Sequence, residues 1–201
     1  MTNVYLVRHS KTKWNIEHRM QGRKDSSLTD SGKDEATKTA KKLSKLQFDV
    51  VYSSPSERAL EITKLINNPN TFTNNLLYEM DFGAWEGKLF TEIANSQDIG
   101  EFITFHGKPE SFRSKNNQGE TYFQVLNRIL IFFGNYIFNN SFENILVVSH
   151  GIVIDLFLNY SLGNGLSKFR SYYQVDNASI SKLFIQNNNI SIDYANDISH
   201  L

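Results

Sequence analysis

The chain of 201 residues contains no cysteine, which excludes disulfide bonds, thiolate nucleophiles and cysteine metal sites. It also lacks an excess of either charge, because 21 lysines and arginines balance 21 acidic residues. No overall electrostatic field therefore favours nucleic acid or an anionic membrane, and we expect neither as a partner. An anionic ligand has to be held by a local cluster of positive groups.

Long hydrophobic runs are absent as well. The most apolar stretch, RILIFFGNYIF at 128–138, is broken by Gly134 and Asn135 and is too short to span a bilayer. The chain starts directly on a strand-like run, without the charged region and apolar core of a secretory signal. Together with the missing cysteines, these features predict a cytoplasmic protein.

Short strand-like runs alternate with helical patterns along the chain. Strands are predicted at 3–8, 48–54 and 144–149, helices at 28–46, 55–65, 120–138 and 152–160, and a closing hairpin at 179–195. This alternation predicts an α/β fold, a three-layer sandwich with a mostly parallel central sheet flanked by helices. The length of the chain fits one domain over residues 1–201.

The pattern also predicts local details. Pro55 is expected in the first turn of its helix, and the helix at 120–138 is expected to place Phe123, Leu126, Leu130 and Phe133 on one face. The asparagine-rich residues 67–75 predict a loop, and residues 76–80 predict a short extended piece. The weak pattern of residues 81–120 predicts a lid-like insertion with short helices.

Polar residues stand at the ends of three predicted strands. They are Arg8 and His9, Ser53 and Ser54, and His150 with Gly151. Open α/β sheets bind ligands beyond the carboxyl ends of their strands, so these residues are expected to lie close together. The residue types favour an anion, and in particular phosphate.

Four segments carry a family resemblance. LVRHSKTKWN, SSPSERA, LYEMDFGAWEG and VVSHG occur in this order, and SLTDSGKDEA and GETYFQVLNRI lie between them. Together they resemble the histidine phosphatase superfamily, the phosphoglycerate mutase-like proteins, over roughly residues 4–160. Within that family they look like the phosphatase branches that include α-ribazole phosphatases and broad-specificity phosphatases. The resemblance implies the phosphoglycerate mutase-like fold and a phosphomonoester hydrolase that uses no cofactor.

The resemblance also implies a role for individual residues. It makes His9 the nucleophile, Glu79 the proton donor, Arg8 and Arg58 phosphate clamps, and His150 a second histidine on the phosphate. Asn15, Gln21, Gly22 and Gly151 match positions of the phosphate pocket. Asp81 is the competing acid. No metal site is expected, and His18, His106 and His200 are expected to have no chemical role.

These residue types suit phosphoryl transfer. The transferred group spreads negative charge over three oxygens, so catalysis consists largely of positioning and electrostatic stabilisation. Arginine offers forked donors for such an anion. An unprotonated histidine nitrogen can attack phosphorus, and a protonated Glu79 can supply the leaving alkoxide with its proton. The fixed positive charges of the arginines then make a metal ion unnecessary.

One position departs from the family pattern. The family usually has glycine directly after the nucleophile, whereas this chain has Ser10. Glycine permits close backbone approach and unusual torsions, so a serine is either tolerated or reduces activity. In the second case the protein would be a catalytically weak phospho-ligand-binding regulator.

A phosphoglycerate mutase is the other alternative. In the family, mutases share a basic, tyrosine-containing run after the proton donor, whereas this chain has the acidic and apolar EMDFGAWEG. The run therefore favours hydrolysis of a small phosphorylated substrate. Both a monomer and a homodimer fit the sequence.

Recognition of the leaving group is expected from residues 81–120 and from NGLSKFRSYY at 164–173. Candidate contacts are Phe105, Phe112, Arg113, Lys115 and Tyr122. The basic residues of the first loop, Lys11, Lys13, Arg19, Arg23 and Lys24, either form an ordinary solvated surface or attract phosphorylated substrates to the pocket mouth.

Overall fold

The computed structural model describes residues 1–169, 171 and 173–201. Within these residues, six strands form one sheet: β1 (Thr2–Arg8), β2 (Val50–Ser53), β3 (Thr71–Thr73), β4 (Asn144–Ser149), β5 (Ile180–Gln186) and β6 (Asn189–Asp197). The strand order is β3-β2-β4-β1-β5-β6. Strands β1 to β4 pair in parallel, and β5 runs antiparallel to both β1 and β6. The prediction of a mostly parallel sheet is confirmed.

Seven α-helices accompany the sheet in the described part of the chain. They are α1 (Lys13–Ile16), α2 (Asp30–Leu43), α3 (Glu57–Ile66), α4 (Phe90–Ala94), α5 (Ile99–Gly107), α6 (Tyr122–Tyr136) and α7 (Gly151–Ser161). The four long predicted helices correspond to α2, α3, α6 and α7. Thr29 caps α2 by accepting a hydrogen bond from the Gly32 amide.

Two apolar cores lie on opposite faces of the sheet. Successive side chains of a strand point to opposite faces. Val4 and Leu6 of β1 belong to the larger core, whereas Tyr5 and Val7 belong to the smaller one. Helices α6 and α7 contribute to the larger core and helices α2 and α3 to the smaller one, which gives the predicted three layers.

The predicted face of α6 is displaced by one residue position, although Phe133 is buried as predicted. The helix buries Tyr122, Val125, Ile129, Phe132 and Phe133, whereas Phe123 is 69% exposed. Leu126 and Leu130 are only partly buried. The segment is apolar on almost every side, so periodicity alone does not choose between neighbouring stripes. In the observed orientation of the helix, Arg128 makes partly buried hydrogen bonds to Glu120 and to the Leu76 carbonyl.

Three local predictions near α3 also differ from the structure. The helix begins at Glu57 after the N-cap Ser56, so Pro55 precedes the first turn. Residues 71–73 pair with β2 as an edge strand inside the predicted loop. Asn75–Leu77 forms a 3₁₀ turn rather than an extended piece, because the Asn74 side chain accepts a hydrogen bond from the Leu76 amide.

The closing hairpin is confirmed. Asn187 and Asn188 connect β5 to β6 with φ angles of 51° and 61°. Asparagine adopts this left-handed region more readily than most residues do, and two such residues suit a tight hairpin turn.

Residues 81–120 contain the short helices α4 and α5 and two 3₁₀ turns, Gly83–Trp85 and Pro109–Ser111. Their aromatic side chains Trp85, Phe102, Phe105 and Phe112 are buried and contact one another. The segment is thus packed on the larger core, and its lid-like role stays a prediction.

No helix among the described residues has both the length and the apolar character needed to cross a membrane.

Candidate active site

The ends of β1, β2 and β4 bring the predicted polar residues together. Arg8 is the register partner of Ser149, and the His9 amide donates to the Ser149 carbonyl at 3.0 Å. The Ser54 amide donates to the Val148 carbonyl at 2.9 Å. His9, Ser54 and His150, which are far apart in the sequence, therefore lie at one edge of the sheet.

His9 is held in one protonation pattern by the backbone. Its side chain is buried, and Nδ1 lies 2.8 Å from the carbonyl oxygen of Ser10. A carbonyl only accepts hydrogen bonds, so Nδ1 carries the proton and Nε2 keeps its lone pair. Burial, followed by the charges of Arg58 and Arg8, holds the pKa of His9 well below its usual range. The ring is therefore neutral and nucleophilic.

His150 lies beside His9, with ring centroids 5.3 Å apart. It is fully buried, and its Nε2 lies 2.7 Å from Ser54 Oγ. Burial, followed by the charge of Arg58, holds the pKa of His150 well below its usual range. A second neutral imidazole therefore stands next to the first.

Arg58 is buried and ties down the loop of residues 22–25. Its Nη2 donates to the Gly22 carbonyl at 2.7 Å, and its Nη1 donates to the Lys24 carbonyl at 3.1 Å and to Asp25 Oδ1 at 2.5 Å. These contacts use both N–H groups of Nη1 and one N–H group of Nη2, so Nε–H and the second Nη2–H are not taken by the loop acceptors. Of the three nitrogens, only Nε has no partner in the described residues.

The guanidinium group of Arg8 also uses one terminal nitrogen for a contact within the protein. Its Nη1 donates to the Val175 carbonyl at 2.7 Å, while its Nε has no partner in the described residues. A Cβ atom at Gly151 would lie 3.3 Å from this Nε, so the first residue of α7 packs directly on the guanidinium. Burial lowers the pKa of Arg8, whereas Glu79 is the largest of the charges that raise it.

The loop after β1 orients an amide towards the same place. Gln21 Oε1 accepts hydrogen bonds from Thr12 Oγ1 at 2.7 Å and from Asn15 Nδ2 at 3.5 Å. The Nε2 end of Gln21 is buried and has no partner in the described residues. A Cβ atom at Gly22 would lie 2.2 Å from the Met80 carbonyl oxygen, so only glycine fits there.

Four of the predicted phosphate-site residues thus keep a buried nitrogen without a partner among the described residues: Arg8 Nε, Gln21 Nε2, Arg58 Nε and His150 Nδ1. Leaving a buried polar group unpaired costs about 1–3 kcal/mol. An anion with several acceptor oxygens would satisfy such a set. The arrangement suits phosphate.

Glu79 stands at the cavity, and Asp81 does not. Both oxygens of the buried Glu79 accept backbone hydrogen bonds, from the Met80 amide at 2.8 Å and from the Ile152 amide at 3.1 Å. Asp81 Oδ1 instead accepts from the Gly83 amide at 2.7 Å and is not among the cavity-lining residues. The geometry favours Glu79 over Asp81 as the acid.

A cavity of about 360 Å³ opens in front of these groups. Among the predicted site residues, Arg8, Asn15, Gln21, Glu79 and Gly151 line it. His9, Arg58 and His150 are almost completely buried and do not line it. His9, the predicted nucleophile, therefore lies behind the cavity wall.

The residues that line the outer part of the cavity differ from those expected to contact the leaving group. Of the five candidate contacts only Phe105 lines the cavity. Phe112 and Tyr122 lie in the core, and Arg113 and Lys115 are not in the cavity wall.

Of the basic residues in the first loop, only Arg19 lines the cavity. His18 and His106, for which no role was expected, are also in its wall. Arg170 and Tyr172 of the predicted stretch 164–173 lie outside the described residues.

The sequence did not reveal two positioning contacts. The buried Glu86 accepts hydrogen bonds from the amides of Arg23 at 2.7 Å and Lys24 at 2.8 Å. Asn177 Nδ2 lies 3.1 Å from the His9 carbonyl. Glu86 has a sequence signal, a carboxylate between tryptophan and glycine in GAWEG, whereas Asn177 has none because its partner is 168 residues away.

No group of three or more histidine or acidic side chains in the described parts of the chain is arranged to hold a metal ion.

Comparison with known proteins places this geometry in a family. A model described as "Histidine phosphatase superfamily (branch 1)" matches residues 4–198. The chain is 31% identical over 207 residues to Phosphoserine phosphatase 1 of Hydrogenobacter thermophilus, covering 100% of this chain and 95% of that protein. It is 29% identical over 209 residues to a protein named "Probable phosphoglycerate mutase GpmB" in Proteus mirabilis, with coverage of 100% and 95%.

Solved structures of similar proteins show the same fold. Bacillus stearothermophilus YhfR has a TM-score of 0.93 and 29% identity, with coverage of 100% of this chain and 99% of that one. The alpha-ribazole phosphatase from Shigella flexneri has a TM-score of 0.86 and 23% identity, with coverage of 98% and 96%. The predicted fold is confirmed, and the phosphatase-named relatives support a phosphomonoester hydrolase. Because the family model spans nearly the whole sequence, the chain belongs to branch 1 of the histidine phosphatase superfamily.

Proposed function

We propose that the protein hydrolyses a small phosphorylated metabolite without a metal ion, through a phosphohistidine on His9 with Glu79 as the proton donor. One observation carries this proposal. The Ser10 carbonyl fixes the His9 proton on Nδ1, which leaves Nε2 as a buried nucleophile near two arginines. Phosphorus is the electrophile that such a cationic site would hold.

In the first step, His9 Nε2 attacks phosphorus and the bond to the leaving oxygen breaks. Arg8, Arg58, Gln21 and His150 present donors to the phosphoryl oxygens, where negative charge is greatest. Protonated Glu79 gives its proton to the leaving oxygen, so that an alcohol departs. The ester becomes a phosphoramidate, with no change in oxidation state.

In the second step, water replaces the leaving alcohol. Glu79 takes a proton from the water as its oxygen attacks phosphorus, and the bond to Nε2 breaks. Inorganic phosphate forms, and His9 and Glu79 return to their starting states. The fixed positive charges act in both steps, so the proposal contains no metal ion.

The geometry around Ser10 supports the reading that serine is tolerated there. Ser10 is fully buried, and it is its backbone carbonyl that holds His9 Nδ1. A serine carbonyl can make this contact as well as a glycine carbonyl can. The weak regulator is therefore the less favoured alternative.

The cavity wall supports hydrolysis over mutase chemistry. A mutase has to retain its phosphohistidine against water and to bind an acidic substrate through extra cationic groups. Outside the phosphate end, Arg19 is the only lysine or arginine among the described lining residues, and its Nε is paired with Glu17. Because one relative is named a probable phosphoglycerate mutase, the test below also includes mutase activity.

The test is an assay of p-nitrophenyl phosphate in the presence of a chelator, combined with rapid quenching. We expect metal-independent turnover and an acid-labile, alkali-stable phosphoryl group on His9, located by mass spectrometry. Turnover without any nitrogen-linked phosphate would contradict the mechanism. Isomerisation of phosphoglycerate without phosphate release would identify a mutase, and binding without either reaction would identify a regulator.

A further inference from the structure

The contact between His150 and Ser54 raises a question that the mechanism leaves open. His150 Nδ1 is one of the four unpartnered nitrogens assigned to the phosphate, and Nε2 lies 2.7 Å from Ser54 Oγ. A neutral imidazole has one N–H donor and one lone pair. Only a ring that carries its proton on Nδ1 can donate a hydrogen bond to phosphate while it remains neutral.

The hydroxyl proton of Ser54 has two acceptors within reach. His150 Nε2 is at 2.7 Å, whereas Ser56 Oγ is at 3.3 Å. The shorter separation is typical of a well-formed O–H hydrogen bond, and the longer one lies beyond that range. The Ser56 amide, 3.3 Å away, donates to Ser54 Oγ. The hydroxyl is thus placed to accept from Ser56 and to donate to His150.

We propose that Ser54 is a positioning residue that holds His150 in the Nδ1–H tautomer, so that the neutral ring donates a hydrogen bond to the bound phosphate. The inference rests on the proposed function only in taking that anion to be the substrate phosphate. In the opposite tautomer, Nδ1 would turn a lone pair towards the phosphate oxygens, which is repulsive.

The two histidines then have complementary states. The Ser10 carbonyl keeps the proton of His9 on Nδ1 and leaves Nε2 free to attack. The Ser54 hydroxyl keeps a lone pair on Nε2 of His150 and leaves the Nδ1 proton free to donate. One buried ring serves as nucleophile and its neighbour as donor, although both are neutral.

The test is the two-bond ¹H–¹⁵N correlation spectrum of the histidine rings in the full chain at neutral pH, assigned with a His150→Asn variant. We expect the Nδ1–H pattern for His150 in the wild-type protein. In Ser54→Ala nothing opposes a proton on Nε2, so we expect a shift towards the Nε2–H pattern. Orthovanadate should then bind about 10- to 150-fold more weakly, as for the loss of one hydrogen bond to a charged group.

Ser53→Ala is the matched control. Ser53 is also fully buried, but its hydroxyl donates to the Ser54 carbonyl at 2.9 Å and not to His150. In Ser53→Ala, the tautomer pattern of His150 and the affinity of the protein for vanadate should remain those of the wild type. An Nε2–H pattern in the wild-type protein, or an unchanged Nδ1–H pattern in Ser54→Ala, would overturn the proposal.

Two features keep the test decisive. If Ser54→Ala does not fold, the wild-type spectrum and that of Ser54→Thr, which retains the hydroxyl and should retain the tautomer, give the answer. The spectrum requires no turnover. A protein that hydrolyses no phosphate ester but shows the Nδ1–H pattern would refute the proposed function and leave the role of Ser54 standing.

Discussion

Asp25 and Arg58 form an ion pair that links the loop after β1 to the start of α3. Asp25 Oδ1 lies 2.5 Å from Arg58 Nη1, and Asp25 Oδ2 accepts a hydrogen bond from the Glu57 amide at 2.8 Å. The arginine is buried, and after burial of the two rings its charge is the next cause that lowers the pKa of both His9 and His150. One side chain therefore holds a loop and helps to keep two histidines neutral.

Replacing Arg58 with lysine separates charge from geometry. Lysine keeps the positive charge but cannot make the three contacts to Gly22, Lys24 and Asp25 and also present a nitrogen to the phosphate. We expect kcat/KM for p-nitrophenyl phosphate to fall about 100- to 1000-fold, as for the loss of one preorganised donor. Arg113→Lys is the control, because Arg113 does not line the cavity. A value within twofold of wild type in Arg58→Lys would show that Arg58 does not act on the phosphate.

His9→Ala should abolish turnover without unfolding the protein. Among the described residues the His9 side chain hydrogen-bonds only to the adjacent Ser10 carbonyl, so the fold should survive its removal. Phosphate release and the melting temperature are measured together. His18→Asn is a matched control, since His18 lines the same cavity and has a φ of 55°, which asparagine tolerates. Appreciable phosphatase activity in a folded His9→Ala protein would exclude His9 as the nucleophile.

Glu79→Gln should affect substrates according to their leaving groups. An alkyl phosphate needs a proton on its leaving oxygen, whereas p-nitrophenolate leaves readily without one. We therefore expect kcat for an alkyl phosphate to fall about 100- to 10,000-fold, the usual range for a general acid, and kcat for p-nitrophenyl phosphate to fall much less. Asp81→Asn is the control, because Asp81 does not line the cavity. Equal losses for the two substrates in Glu79→Gln would argue against proton donation.

Glu86→Gln should loosen the loop that holds Arg58. The carboxylate of Glu86 accepts hydrogen bonds from the amides of Arg23, Lys24 and Phe82, and a glutamine would place an N–H group against one of these donors. We expect the free energy of unfolding to fall by about 1–3 kcal/mol and orthovanadate to bind more weakly. Glu110→Gln, at an exposed position, is the control. A loss of stability with unchanged vanadate affinity would limit Glu86 to a structural role.

The sequence predicted the framework of the site better than its supporting contacts. His9 and His150 follow apolar strands, and the parallel pairing of those strands could be inferred from the alternation of elements. The contacts of Asn177 with His9 and of Ser54 with His150 join distant parts of the chain, so no local pattern indicates them. The face of α6 was mispredicted for a different reason: neighbouring apolar stripes compete, and tertiary packing decides between them.

The depressed pKa values of His9 and His150 predict how stability depends on pH. Each ring is neutral in the folded protein, but in the unfolded chain it titrates near its ordinary value of 6.5. Below about pH 6.5 the unfolded state therefore binds more protons than the folded state does, and the folded state loses stability as the pH falls. Above about pH 6.5 both states are neutral at these positions and the contribution is constant.

Urea unfolding at pH 5.0, 6.0, 7.0 and 8.0 tests this dependence (roughly the range in which histidine titrates). While a ring is protonated only in the unfolded state, each histidine costs up to about 1.4 kcal/mol of unfolding free energy per pH unit. The comparison is with His9→Asn, which removes one titrating ring and should flatten the acid side of the curve. A His9→Asn curve parallel to that of the wild-type protein would show that the pKa of His9 is not lowered, so that the ring is protonated in the folded state below about pH 6.5. It would then have no lone pair with which to attack phosphorus.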